Sequence, residues 1–166
     1  MVRKMERNAV DAAMGTYSVT TPYGIVRIMN RGRVVQFELY DDIHQSRHNL
    51  VLYRYVKWLH DVKGVDRINC DHVSFPWLDR TMQLRRGSRK LDIVYEHKGR
   101  LHECELKTER EVGLDTTARQ IQDYAKVCKN LIVLVPLSEV ENMKNILKLI
   151  NLDTRVKVDT YEVESW

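Results

Sequence analysis

Residues 91–107 constrain the fold of this chain more than any other stretch. They read Leu-Asp-Ile-Val-Tyr-Glu-His-Lys-Gly-Arg-Leu-His-Glu-Cys-Glu-Leu-Lys, two alternating runs on either side of Lys98-Gly99. Alternation with period two marks strands with one buried face. A two-residue connection containing glycine supplies the positive φ that a tight hairpin needs. With the turn at Lys98-Gly99, Asp92 stands directly across from Glu105. Leu91, Ile93 and Tyr95 then share a mostly apolar face with His102, Cys104 and Leu106, while Asp92 shares the other face with Glu105 and Lys107. A three-residue loop would instead bring Cys104 opposite Asp92.

Two carboxylates facing each other on neighbouring strands repel. A hard divalent cation between them removes that cost, because such ions prefer oxygen ligands. Lys107, two residues after Glu105, lies on the same face and can steady negative charge developing on a phosphate. A metal ion that acidifies water and polarises the phosphate completes the parts of a phosphodiester hydrolase. The competing reading is a solvated hairpin with ordinary surface Asp, Glu and Lys.

The rest of the chain predicts an α/β fold. Residues 3–14 suit a short helix ending at Gly15. Gly24–Met29 and Arg33–Tyr40 suit two strands joined by Asn30-Arg31-Gly32. A helix is expected over residues 46–62, capped by Ser46, with Leu52, Tyr55, Val56 and Leu59 at helical spacing and Gly64 at its end. Asn69–Trp77 suits a strand, and Arg80 to Lys90 an irregular basic stretch. Thr116–Cys128 reads as a helix capped by Asp115 or Thr116. The unbroken apolar run Leu131–Val135 reads as a strand covered on both faces. Ser138–Ile150 reads as a helix with a Ser138/Glu141 capping box, and Arg155–Val163 as a last strand. The order from residue 46 implies a sheet with helices on both faces. Residues 1–43 form an N-terminal helix-and-hairpin extension and residues 44–166 the main domain. A length of 166 residues suits one compact unit. Trp58 and Trp77 read as core.

Asp92, then twelve residues, then Glu105-Leu106-Lys107 resembles the D…(D/E)xK core of the PD-(D/E)XK nucleases. Leu91 stands where the family has proline. Gln120-Ile121-Gln122-Asp123-Tyr124, just before the apolar strand, is similar to the Q-hydrophobic-x-x-Y motif of the RecB-like branch. Gln120 and Tyr124 share one helix face. The resemblance covers roughly residues 44–136. It implies a restriction-endonuclease-like core, α-β-β-β-α-β, a central mixed sheet flanked by helices. It also implies Mg²⁺ or Mn²⁺ as cofactor, DNA as partner, and Asp92, Glu105, Lys107, Gln120 and Tyr124 as site residues. In the family the helix before the hairpin adds a Glu or a His to the metal site. Here His48, leading the inward stripe, is the candidate, with His44 and Glu38 as alternatives; neutral imidazole can ligate a metal. Small free-standing nucleases of this organisation resemble those of archaea, their viruses, and phages.

Arg80, Arg85, Arg86, Arg89 and Lys90 immediately precede Asp92. Beside a cleavage site, such charges give sequence-independent phosphate contacts. The formal charge of +4 permits a nucleic-acid partner without demanding one. Three scattered cysteines, Cys70, Cys104 and Cys128, argue against a disulfide framework, a zinc knuckle or the four-cysteine iron–sulfur cluster of some RecB relatives. With no apolar stretch of membrane length, the expectation is a cytoplasmic protein, in the host cell cytoplasm if viral. The leading expectation is a DNA endo- or exonuclease. The alternatives are a Holliday-junction resolvase, which would act as a homodimer, and a nuclease-fold protein that binds DNA without cutting it.

Overall fold

A computed structural model describes residues 17–21, 24–39 and 43–163. The chain divides into two units, Met1–Leu50 and Val51–Trp166.

The first unit holds a three-stranded antiparallel sheet of β1 (Tyr17–Thr21), β2 (Gly24–Met29) and β3 (Val34–Leu39), in that order. The expected hairpin is present as β2–β3. It closes through a 3-10 turn at Asn30–Gly32, in which Asn30 and Gly32 take positive φ. β1 was not foreseen; it pairs along the other edge of β2. The helix expected at residues 3–14 lies outside the described residues. The boundary between the units falls within α1 (Ile43–Asp61). That helix starts ahead of Ser46, which is therefore an interior residue and not the cap; its Oγ is buried and makes no hydrogen bond. Gly64, at φ +67°, reverses the chain past the last turn, and the Val65 N–H donates to the Leu59 carbonyl at 3.0 Å.

The second unit is α/β. Its elements are β4 (Arg67–Cys70), β5 (Arg85–Arg86), β6 (Arg89–Lys90), β7 (Ile93–His97), β8 (Arg100–Leu106), α2 (Asp115–Val127), β9 (Leu131–Val135), α3 (Val140–Leu149) and β10 (Lys157–Thr160). Five of the strands form one mixed sheet, ordered β10-β9-β8-β7-β4. β4, β7 and β8 run antiparallel to their neighbours, and β8, β9 and β10 run parallel. The hairpin adopts the register expected of a turn at Lys98-Gly99: Ile93 pairs with Cys104 and His97 with Arg100. Lys98 and Gly99 both take positive φ, 52° and 71°, as a type I′ turn requires.

Each sheet face carries its own apolar cluster. Leu52, Tyr55, Val56 and Leu59 of α1 pack with Ile68, Ile93, Cys104, Leu106 and Leu134 on one face. Ile121, Tyr124 and Ala125 of α2 and Met143 and Leu147 of α3 pack with Val94, Val133 and Val135 on the other. Burying apolar area on both sides of β9 is what its unbroken run Leu-Ile-Val-Leu-Val makes possible. Trp58 and Trp77 are partly buried against the first cluster.

Several local expectations are corrected. The strand expected over Asn69–Trp77 is Arg67–Cys70; the chain leaves the sheet at Asp71 and turns at His72, whose φ is +59°. The basic stretch is not irregular: β5 and β6 pair as a small hairpin around Gly87. Leu91 joins the α2–α3 cluster rather than the face of Ile93, because alternation lapses at the bend preceding β7. Neither Asp115 nor Thr116 caps α2: Leu114 occupies the N-cap without a side-chain bond, and Asp115 sits in the first turn, where its charge suits the helix dipole. The Ser138/Glu141 capping box does not form. Ser138 lies in a 3-10 turn, Leu137–Glu139, and Glu141 instead pairs with Lys144 at 2.7 Å. Among the described residues no helix is long and apolar enough to cross a membrane.

Candidate active site

Alternation along β8 carries Glu103 and Glu105 to the face covered by α2 and α3. Glu103 pairs with Val94 and Glu105 with Val133, both members of that cluster. Beyond the end of β8 the Lys107 N–H still donates to the Leu134 carbonyl, at 2.8 Å. The backbone therefore stays extended for one more step, and Lys107 projects to the same side as Glu105. Both side chains are buried, 3% exposed for Glu105 and 7% for Lys107.

These groups form a closed polar cluster. Lys107 Nζ donates to Glu105 Oε1 at 2.9 Å and to Gln120 Oε1 at 2.8 Å. Gln120 Nε2 donates in turn to Glu105 Oε1 at 2.6 Å. Asp92 lies where β7 has not yet begun, and its Oδ2 accepts the Leu106 N–H at 2.7 Å, so a side chain takes the ladder position the strand leaves vacant. Asp92 is itself buried. α2 adds Tyr124, one turn after Gln120 and on the same face; its hydroxyl donates to the Lys90 carbonyl at 2.6 Å.

The electrostatics tie the cluster together. Burial alone would lower the Lys107 pKa, but the carboxylates of Glu105, Glu111 and Asp92 outweigh it and hold the ammonium above its ordinary range. Lys107 is thus a fixed cation at neutral pH. Burial, with the charges of Glu105 and Asp92, pushes the Tyr124 phenol well up, so it acts as a neutral donor. Burial likewise pushes the Cys70 and Cys128 thiols up to about 12, and all three cysteines are free and buried. None of them presents a thiolate.

Of the residues expected at the site, Asp92, Glu105, Lys107, Gln120 and Tyr124 come together in the second unit. His48 belongs to the first unit, where it is buried with its Nδ1 3.3 Å from Asn49 Oδ1. His44 lies in the first turn of α1. Glu38, on β3, is exposed and ion-paired with Arg27.

The five basic residues separate. Arg86 is committed to a buried ion pair with Glu103, whose Oε2 also accepts the N–H groups of Lys129 and Asn130. Arg89 pairs with Asp123 at 3.0 Å. Lys90 pairs with Asp71 at 2.7 Å. The Arg80 guanidinium bonds Asn69, Ser74 and the Cys70 carbonyl. Arg85 is exposed.

One residue beside the cluster, Glu111, was missed in the sequence. Glu111 Oε1 lies 3.8 Å from Lys107 Nζ, and its other oxygen accepts the N–H and hydroxyl of Thr108, each at 2.8 Å. Its four-residue spacing from Lys107 was the one available signal, and it falls in a loop, where such spacing implies no contact. Among the described residues no group of three or more His, Cys, Asp or Glu side chains converges on one point. No protein-family model, curated protein or solved structure matches the chain.

Proposed function

We propose that the second unit is a metal-dependent nuclease that hydrolyses DNA phosphodiester bonds, built on a restriction-endonuclease-like core with Asp92, Glu105 and Lys107 at its centre. The observation that carries the reading is the buried triangle of Lys107, Glu105 and Gln120 beside Asp92. Two hairpin carboxylates, a lysine two residues on, and Gln and Tyr from the next helix are the parts that the PD-(D/E)XK resemblance implies.

The donor set fits Mg²⁺ or Mn²⁺. Asp92 and Glu105 offer hard oxygens, and the buried carboxylates outnumber the one ammonium among them. Two protein carboxylates with water and phosphate oxygens around them suit Mg²⁺, which keeps much of its water. Such an ion supplies Lewis-acid polarisation of the phosphate and a more acidic water. The protein's own groups do the rest. Lys107, held protonated, cannot serve as a base. An ammonium has three donors; two reach Glu105 and Gln120, and the third can meet a phosphate oxygen as its negative charge grows. Gln120 holds both Lys107 and Glu105 in place, so neither must reorganise when substrate arrives.

The test is a cleavage panel of single-stranded, duplex, flap and four-way DNA with Mg²⁺ and with Mn²⁺. Metal-dependent cutting supports the nuclease, and a strong preference for the four-way form favours the resolvase version. Retarded mobility with no cutting in either metal selects the DNA-binding alternative and removes the enzyme.

A further inference from the structure

The loop after β4 and the β5–β6 hairpin enclose a cleft of about 550 Å³. Arg80, Arg85 and Lys90 line it, with His72 among the lining residues and Asp71 as the one carboxylate. The cations therefore exceed the anions. Among the described residues the Arg80 guanidinium is positioned by neutral oxygens, those of Asn69 at 3.1 Å, Cys70 at 3.2 Å and Ser74 at 3.2 Å, and by no carboxylate. The exposed Arg85 has no carboxylate partner among the described residues. Arg86 and Arg89, from the same basic run, are absent from the lining and hold Glu103 and Asp123.

The cleft also adjoins the candidate active site. Lys90 is among the residues that line it, and the Lys90 carbonyl accepts the Tyr124 hydroxyl. The Asp71 N–H donates to the Asp92 carbonyl at 2.9 Å. The cleft and the candidate site are thus neighbours through the backbone at Lys90 and Asp71, with Asp92 buried behind the lining.

We propose that this cleft is a phosphate subsite that takes the backbone of the DNA strand beside the phosphate to be cut, on Arg80, Arg85 and Lys90, and that Arg86 and Arg89 take no part. The identity of the strand rests on the nuclease reading; the division of the five cations does not. Lys90 exchanges Asp71 for the phosphate, and Asn69 and Ser74 keep Arg80 aimed into the cleft.

The test is binding of a fluorescein-labelled single-stranded oligodeoxynucleotide in EDTA, followed by anisotropy over a salt series, with cleavage in Mg²⁺ run alongside. Arg85→Ala is expected to weaken binding and to lower the slope of log K against log salt by about 0.7, the value for one single-strand phosphate contact. Arg89→Ala is expected to leave both unchanged, and thymidine monophosphate at equal phosphate concentration to leave the strand bound. Equal losses in the two variants, no loss in Arg85→Ala, displacement by the mononucleotide, or no binding by the wild type each overturn the assignment. Binding that depends on Arg85 without cleavage keeps the cleft and removes the nuclease. Cleavage indifferent to Arg85→Ala keeps the nuclease and removes the cleft.

Discussion

Gln120 Nε2 donates to Glu105 Oε1 at 2.6 Å, linking the first half of α2 to the next-to-last residue of β8. The amide oxygen accepts from Lys107 at 2.8 Å, so the orientation of the amide is set from both ends. Reversing it would point NH₂ at an ammonium and oxygen at a carboxylate. Only a residue with a donor and an acceptor on one planar group can bridge an ion pair in this way.

Gln120→Leu removes both bonds while keeping most of the volume. Cleavage is expected to fall by about tenfold or more in kcat with a smaller change in KM, since the lost contribution is the positioning of Lys107 and Glu105. Thermal melting by circular dichroism should show a folded protein. Gln120→Glu should fall further, because a fourth carboxylate beside Lys107, after Glu105, Glu111 and Asp92, would draw it away from the phosphate.

Lys107→Met strands buried carboxylates. Breaking one side of a buried ion pair costs about 3–5 kcal/mol, and adding Glu105→Gln should recover part of that loss. Urea denaturation of the two single variants and the double measures the coupling. The expected loss in cleavage for Lys107→Met is about 10²–10³-fold, the scale for one preorganised charge-stabilising donor.

Acid should weaken the fold through Glu103. Burial raises its carboxyl, but the bond from Arg86 and the N–H groups of Asn130 and Lys129 outweigh that and hold it below the ordinary 4.5. The unfolded chain therefore takes up the proton first as pH falls. The contribution is complete above about pH 4.5 and is lost as pH drops through the folded value. Urea midpoints measured from pH 6 down to pH 3, to order-of-magnitude spacing of about one unit, should fall less steeply in Glu103→Gln than in wild type.

Tyr124→Phe deletes the buried hydrogen bond from the phenol to the Lys90 carbonyl. The expected cost is about 1 kcal/mol in urea unfolding. A larger loss would show that the hydroxyl carries more than the link between α2 and the end of β6.

What could be read from the sequence was local and periodic. Lys98-Gly99 determined the register from His97–Arg100 to Ile93–Cys104, because a two-residue turn leaves no freedom in pairing. The ladder stops there, and Asp92, one residue before β7, meets β8 through its side chain on the Leu106 N–H and not as the strand partner of Glu105. The bounds of β9 followed from its apolar run. The pairing of Arg86 with Glu103 was not readable: its members are distant in sequence, and a charge run says nothing about which charge meets a buried acid. For the same reason the five basic residues looked alike until Arg86, Arg89 and Lys90 were found on three different carboxylates. The capping box failed because Leu137–Glu139 winds as 3-10 after Pro136, which leaves Ser138 inside a turn and not before a helix.

The central claim is that Asp92, Glu105 and Lys107 work as one phosphodiester-cleaving site. Nicking of supercoiled plasmid DNA by wild type, Asp92→Ala and Lys107→Met, each with Mg²⁺ and with EDTA, tests it most directly. The account predicts nicking by wild type in Mg²⁺ alone and none above background in either variant. Nicking retained in Asp92→Ala, or a folded wild type that leaves the plasmid intact in Mg²⁺ and in Mn²⁺, would contradict it.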